Sequence, residues 1–174
     1  MSEITKFANE NRSRRPQLGF SLIELLIVVA IILIIAAIAI PNFLRARIAA
    51  HESSAVGSLR SINTAEAAYN STYGAGYGTL TQLGSPGVPC TASSTSACLL
   101  DPSLSSGTKS GYTFTAVPVG TANVNFVASA VTFVVGVTGQ RTFCVDETGA
   151  VRFDSTGGVA PADDVACEAL TVLQ

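Results

Sequence analysis

The sequence predicts an α+β fold in which one long N-terminal helix packs on an antiparallel sheet of three or four strands. Three observations support this class: an apolar run near the N-terminus, a helical stripe of apolar residues after it, and alternating strand segments in the C-terminal part. We predict three segments: a cleaved leader at 1–19, a transmembrane helix at 20–40, and a globular part at 41–174. The globular part includes the amphipathic half of the helix and ends in a loop closed by a disulfide.

The apolar run extends from Phe20 to Ile40 and is interrupted only by Ser21 and Glu24. It has 21 residues, and a helix needs roughly 20 to cross the hydrocarbon core of a bilayer. The run is too long for the apolar region of a secretory signal. Four bases precede it, which predicts that this end stays in the cytoplasm and that the C-terminal part faces away from it. These bases are Lys6, Arg12, Arg14 and Arg15.

Glu24 is the unusual residue of this run, because a carboxylate within a membrane helix is expensive and usually functional. Cleavage after Gly19 would give Phe20 a free α-amino group with a pKa of about 8. That amine and Glu24 are spaced as helical neighbours, so they can pair within one chain or between chains. Pairing between chains would set a register for assembly. The alternative is that Glu24 reaches the membrane interface or is protonated.

Composition excludes several classes of function. The chain has 174 residues, of which 13% are charged, and a formal net charge of -2. Beyond residue 19 there are six bases and ten acids, a net charge of -4, which argues against a broad nucleic-acid-binding face. His51 is the sole histidine. With no Ser-His-Asp set, Cys-His pair or phosphate-binding glycine loop, we predict no enzyme and no cofactor.

Four cysteines, Cys90, Cys98, Cys144 and Cys167, include no CxxC pair, which argues against zinc. An even number in a chain with an export-like N-terminus favours two disulfides and an oxidising compartment. Four cysteines allow three pairings. Proximity in sequence favours Cys90–Cys98 and Cys144–Cys167, and the alternative is four buried free thiols.

Helical periodicity continues past Pro41 to the three closely spaced glycines that begin at Gly74, where we expect the helix to end. The predicted core-facing stripe is Leu44, Ile48, Ala55, Leu59, Ile62 and Tyr69. Charged residues are expected at other positions of the helix, namely Arg45, Arg47, Glu52, Arg60 and Glu66.

Residues 79–110 are predicted to form a loop, since Ser and Thr supply ten of the 21 residues from Cys90 to Ser110. This loop is either a solvated connector or a variable, O-glycosylated surface. Strand signals follow it. They lie at 112–116, 126–128, 131–137, 141–146 and 151–153, with a tight turn at 147–149.

The residues from Gly19 to Ala30, GFSLIELLIVVA, closely resemble the processing and assembly motif of type IV prepilins and type II secretion pseudopilins. The match continues from Ala36 to Phe43. The resemblance implies cleavage after Gly19 by a prepilin peptidase, N-methylation of Phe20, and contact of Glu24 with the N-terminus of a neighbouring subunit. One departure is Leu33, where many members have a glycine. In the family the segment from that glycine to the proline, here Pro41, can unwind on assembly, so unwinding in this chain is expected either to be smaller or to rely on Pro41 alone.

The resemblance further implies a structural subunit of a type IV pilus-like filament, or fimbrium, that is a homopolymer of the chain. Its other expected partners are the prepilin peptidase, the inner-membrane assembly machinery and, before assembly, membrane lipid. The subunit would be a single-pass inner-membrane protein first and part of an extracellular filament later, serving adhesion, twitching motility, DNA uptake or secretion. The alternatives are a type II secretion pseudopilin and a membrane-tethered binding module that never polymerises.

The resemblance also raises a calcium site as a weaker alternative, because some pseudopilins carry calcium in a C-terminal loop. Oxygen-rich clusters suit this ion, although the spacing here matches no EF-hand. The other interpretation is a solvated acidic rim, with no metal bound. The candidate ligands are Asp146, Asp154, Asp163 and Asp164.

Overall fold

A computed structural model describes residues 19–85 and 89–173, so the predicted leader lies outside the described residues except for Gly19. The chain divides into two compact units, Met1–Ile40 and Pro41–Gln174. The α+β class is confirmed, because a long N-terminal helix is followed by an antiparallel sheet.

Helix α1 extends from Leu22 to Tyr73 and contains Pro41. Proline has no N–H, so one bond of the helical ladder is missing there. The helix ends where the glycines predict it, since Gly74 adopts a φ of +62° and donates its N–H to the Asn70 carbonyl at 3.0 Å. A glycine in this conformation is a common helix stop because it has no Cβ to clash.

The sheet contains six strands in the order β1-β2-β3-β4-β5-β6, and every neighbouring pair is antiparallel. We predicted three or four strands. The difference lies in β1 and β6, which have two residues each and are too short to show an alternating pattern. The strands are Thr108–Lys109, Tyr112–Val119, Asn125–Thr132, Thr142–Asp146, Arg152–Asp154 and Thr171–Val172.

The core lies between one face of this sheet and the second half of α1. Phe114, Ala130 and Phe143 are cross-strand neighbours on that face, and all three are buried. The alternation of large and small side chains leaves room for Leu59 and Ile62 of α1, which are both 0% exposed. Alternate residues of the strands and the residues on one side of α1 therefore face the same core.

The predicted stripe is wrong at its start, and the prediction that Glu52 and Glu66 lie outside the core-facing side of the helix is also wrong. Leu44 is 51% exposed, whereas burial begins at Glu52 and includes Glu66. Both glutamates are seven residues from Leu59, so they lie on the same face of the helix as the core residues.

The loop prediction for 79–110 is wrong at three short elements. These are helices α2 (Leu80–Leu83) and α3 (Pro102–Ser105), and strand β1. Local hydrogen bonds explain both helices, since Thr79 and Gln82 form a capping box and Asp101 caps α3. Residues 86–88 lie outside the described residues.

The strand prediction for 131–137 is wrong beyond Thr132, where β3 ends. Residues 133–137 form an exposed loop despite their high β propensity. Gly136 adopts a φ of +82° and donates its N–H to the Gly139 carbonyl at 2.8 Å. This local closure turns the chain away from the sheet ladder.

Candidate assembly site and the groups that hold the globular unit

The N-terminal site candidates Gly19 and Phe20 precede α1, and Glu24 lies in its first turn. The Leu25 N–H donates to the Ser21 carbonyl at 3.2 Å, which begins the helical ladder. An acid in a first turn is favoured by the positive end of the helix dipole. Phe20 is 71% exposed, and Glu24 is exposed as well.

The salt bridges within the described residues do not include Glu24. In the uncut chain the Phe20 nitrogen is a peptide amide rather than an amine, so it offers Glu24 no charge. The structure therefore places Phe20 just before α1 and Glu24 in its first turn without joining them. Pairing would require cleavage after Gly19.

The surface of α1 between Leu22 and Ile40 is apolar and uncovered. Its large apolar side chains are 43 to 80% exposed. This helix is long and apolar enough to cross a membrane, with a window of mean hydropathy 3.3 that has no residue buried inside the chain. Leu33 is 63% exposed within this helix. A surface of this kind needs lipid or other protein to cover it.

The structure contains two disulfides, Cys90–Cys98 and Cys144–Cys167, with Cα atoms 6.1 and 6.0 Å apart. The first closes a loop that packs on α1, because the Tyr69 hydroxyl donates to the Ser94 carbonyl at 2.6 Å.

The Cys144–Cys167 disulfide joins β4 to helix α4 (Asp164–Glu168) on the face of the sheet opposite α1. Both cysteines are 0% exposed and form a second apolar cluster with Val127. Asp163 caps α4 by accepting from the Ala166 N–H at 2.7 Å. The C-terminal segment thus covers part of a face that would otherwise be open to solvent.

Glu52 connects α1 to the start of β4. One carboxylate oxygen, Oε1, accepts from the backbone N–H groups of Gln140 and Arg141 at 2.8 and 3.2 Å. The other, Oε2, accepts from the Arg141 Nε and Nη2 at 3.0 and 2.7 Å. The guanidinium of Arg141 also lies 5.2 Å from the ring centre of Phe143 and 5.1 Å from that of Phe153. Four charge-assisted hydrogen bonds satisfy a carboxylate that is nearly buried.

Glu66 is the second buried acid of α1 and is 0% exposed. Its Oε2 accepts from the Gly78 N–H at 2.9 Å, which ties the loop after α1 back to the helix. Oε1 has no hydrogen-bond partner within the described residues. Burial raises the pKa of Glu66 to about 7, against an opposing effect of the Gly78 hydrogen bond. This carboxyl therefore holds its proton to much higher pH than a solvated glutamate does.

We expect the free energy of unfolding to fall as the pH rises from about 4.5 to about 7. In this window the folded chain keeps the Glu66 proton that the unfolded chain has released, and stability falls wherever the folded state binds more protons. The loss is on the order of 3 kcal/mol. Denaturant unfolding of the detergent-solubilised chain at several pH values, followed by tyrosine fluorescence, measures it.

Glu66→Gln should flatten this dependence, whereas the exposed control Glu147→Gln should keep it. An equal pH slope in the wild type and in Glu66→Gln would contradict the assignment.

The calcium candidates do not converge. Within the described residues, no group of three or more His, Cys, Asp or Glu side chains is placed to hold a metal ion. Asp146 is buried, in contrast to the solvated rim we considered, and accepts from Thr148 N–H at 3.0 Å. Asp154 accepts from Thr156, and Asp164 accepts from the Asn125 amide at 2.6 Å. Asp146 and Asp154 therefore serve their own turns, and Asp164 connects α4 to the first residue of β3.

Sequence reasoning missed Glu52 and Glu66 as core residues, although a signal was present. With Leu59 they form a series at seven-residue intervals. Side chains at this spacing lie on nearly the same face of a helix. The sequence therefore shows that both glutamates lie on the core-facing side of the helix, but their charge favours exposure to solvent. His51 is half-buried, and its Nδ1 lies 3.0 Å from the Thr138 carbonyl oxygen.

Comparison with known proteins yields two matches. The family described as "Prokaryotic N-terminal methylation motif" matches residues 14–40. The chain is also 44% identical over 66 residues to the type IV major pilin protein PilA of Myxococcus xanthus strain DK1622. That alignment covers 38% of this chain and 27% of the relative, so the chain spans about a quarter of the relative's length. No solved structure matches the chain.

The family match covers the apolar segment and the two nearest bases, Arg14 and Arg15, and it includes Gly19, Phe20 and Glu24. The chain thus carries the N-terminal methylation motif of the matching family and is similar, over the aligned part, to a type IV major pilin.

Proposed function

We propose that this chain is the precursor of a structural subunit of a type IV pilus-like filament. The observation that carries the proposal is the uncovered apolar surface of Leu22–Ile40, where Glu24 is the single charged residue. It lies within the match to the N-terminal methylation motif at residues 14–40. Lipid covers such a surface before assembly, and copies of the same segment cover it afterwards. A simple membrane tether needs neither Glu24 nor the motif.

The proposed pathway begins in the inner membrane, where residues 20–40 span the bilayer and residues 41–174 face away from the cytoplasm. A prepilin peptidase removes residues 1–19, and Phe20 is N-methylated. The inner-membrane assembly machinery then transfers the subunit into an extracellular filament. Pro41 marks the boundary between the apolar segment and the globular part, and its missing N–H favours a local change of the helix during this transfer.

Within the filament, the new amine of Phe20 pairs with Glu24 of a neighbouring subunit. Both charges leave water or the membrane interface for an apolar surrounding, where each needs the other. Apolar contacts between helices supply most of the packing energy. Contacts between different surfaces of identical copies give a fibre when the rotation between neighbours does not close a ring, and the proposed filament is of this kind.

The proposed role is structural rather than catalytic, as the family implies. The relative is a type IV major pilin, which favours a surface pilus over a pseudopilus. A pseudopilin would share the motif and the processing.

Electron microscopy of filaments sheared from cells, with mass spectrometry of their N-terminus, tests this function. We expect filaments built from this chain that begin at N-methylated Phe20. A start at any other residue would contradict the cleavage site. Cleavage after Gly19 without surface filaments would favour a pseudopilin, and an uncut membrane protein would favour the tether.

A further inference from the structure

The globular unit Pro41–Gln174 carries two exposed apolar patches outside the apolar segment. The loop patch consists of Phe133, Val134, Val135 and Val137, which are 48 to 60% exposed. The helix patch consists of Phe43 and Leu44, which are 67% and 51% exposed. Neither patch belongs to the membrane-spanning segment predicted at 20–40.

The loop patch is held in place by backbone and hydroxyl hydrogen bonds. Phe133 N–H donates to the Gly111 carbonyl at 3.0 Å, and Val137 N–H donates to the Val134 carbonyl at 3.1 Å. Val134 N–H donates to the Thr138 hydroxyl at 3.0 Å. Thr138 is also tied to α1 through its carbonyl oxygen, 3.0 Å from His51 Nδ1. The loop therefore presents its apolar side chains on a fixed backbone, which lowers the entropy that binding must overcome.

The surroundings of the loop patch are acidic. The turn that begins at Asp154 lies against the loop patch. Gly157 in this turn is so close to Val135 that a Cβ atom at the glycine would lie 3.3 Å from Val135 Cγ2. Hydrogen bonds from the Thr156 hydroxyl and N–H lower the pKa of Asp154, so this carboxylate is charged at neutral pH.

Arg141 is neutralised by Glu52. Arg152 keeps its positive charge, because its partner, the Glu168 carbonyl oxygen, is uncharged, but within the described residues it forms no salt bridge with Asp154. From Gly111 to Gln174 there are two bases and six acids, a net charge of -4.

The surroundings of the helix patch are basic. Arg45 and Arg47 follow Leu44 directly, and both are exposed. Within the described residues, neither arginine takes part in a salt bridge. The two patches are therefore alike in apolarity and opposite in charge.

We propose that the loop patch of one copy packs on the helix patch of a second copy, with Arg45 and Arg47 facing the acidic turn at Asp154. This proposal rests on the proposed filament function. It specifies which two surfaces of the globular unit meet between neighbouring copies. Complementary charge favours this occupant over an anionic lipid surface, which would repel the acidic turn. Each copy can offer its loop patch to one neighbour and its helix patch to another, and such a heterologous contact can repeat along a filament.

Photo-cross-linking of sheared filaments tests the contact directly. Replacing Phe133 with p-benzoylphenylalanine keeps an aromatic side chain at the centre of the loop patch. We expect irradiation to give a covalent dimer whose cross-linked peptide contains residues 43–47. The matched control is Val124, which is 60% exposed and lies at the opposite end of β3. A probe there should not label that peptide.

Each outcome decides between the proposals. Filaments in which the Phe133 probe labels another part of the chain, another protein, lipid or nothing would overturn the contact but leave the filament function standing. The absence of any filament built from the wild-type chain would overturn both.

Charge reversal supplies an independent readout. Asp154→Lys and the double variant Arg45→Asp/Arg47→Asp should each lower the yield of sheared filaments about tenfold, because like charges then face each other. Combining all three changes should restore most of the yield. Membrane abundance of each variant checks its folding, and Asp154→Asn separates loss of the charge from loss of the Thr156 turn. Wild-type yields in the single-patch variants, or a combination no better than either, would overturn the contact.

Discussion

Glu24→Ala is expected to leave the chain inserted in the inner membrane and to remove filaments from the cell surface. Insertion depends on the apolar segment from Phe20 to Ile40. The substitution leaves the length of this segment unchanged and makes it more apolar. Assembly depends on the carboxylate, because the amine of Phe20 would otherwise enter an apolar surrounding without a partner. Breaking one side of a buried ion pair costs about 3–5 kcal/mol, and the loss recurs at every subunit.

Two further variants separate charge from shape at this position. Glu24→Gln keeps the size of the side chain without its charge and should fail like alanine. Glu24→Asp keeps the charge on a shorter side chain and should retain part of the assembly. Immunoblots of membrane and sheared fractions, with mass spectrometry of the membrane-bound chain, measure abundance, filament yield and cleavage. Normal amounts of Glu24→Ala subunit in the sheared fraction would refute the pairing.

Removal of the Cys144–Cys167 disulfide is expected to be the largest single loss of stability in the globular unit. The bond spans 23 residues of sequence, and its effect on the entropy of the unfolded chain is about 3 kcal/mol. Its loss also releases α4 from the sheet face that holds Val127, so apolar surface is exposed in addition. The double variant Cys144→Ser/Cys167→Ser leaves no free thiol to complicate the measurement.

The Cys90→Ser/Cys98→Ser variant is the matched comparison. That bond spans eight residues and both cysteines are half-buried, so the loss should be smaller, about 2–3 kcal/mol. Denaturant unfolding in detergent compares the two variants, and limited proteolysis should cut the released C-terminal segment in the Cys144 variant alone. Peptide mapping without reduction establishes the pairing, and any other connectivity would refute this prediction at its basis.

The strands were predictable where burial alternates and unpredictable where it does not. Tyr112, Phe114 and Ala116 alternate with polar residues because the other face of β2 is partly solvated. The apolar residues after Thr132 carry the same β propensity, yet they lie in an exposed loop. Propensity describes how a side chain fits a pleated surface and cannot say whether a neighbouring strand is available.

The short helices show a different limit. Thr79 with Gln82, and Asp101 before Pro102, are capping signals that sequence reasoning can find. They were hidden within a Ser/Thr-rich region that is typical of loops. Glu52 and Glu66 show the opposite limit. The sequence indicates their position on the helix, but it does not indicate that they are buried.

By itself the sequence determined the features that depend on local order along the chain. These are the apolar length from Phe20 to Ile40, the acid at Glu24 and the motif around Gly19, since membrane insertion and processing act on a contiguous segment. Only the tertiary structure decided which charges are buried, what covers the second face of the sheet, and that the loop at 133–137 is left open. Those features depend on groups far apart in sequence, such as Glu52 with Arg141 and Cys144 with Cys167, whose approach is a property of the packed sheet and helix.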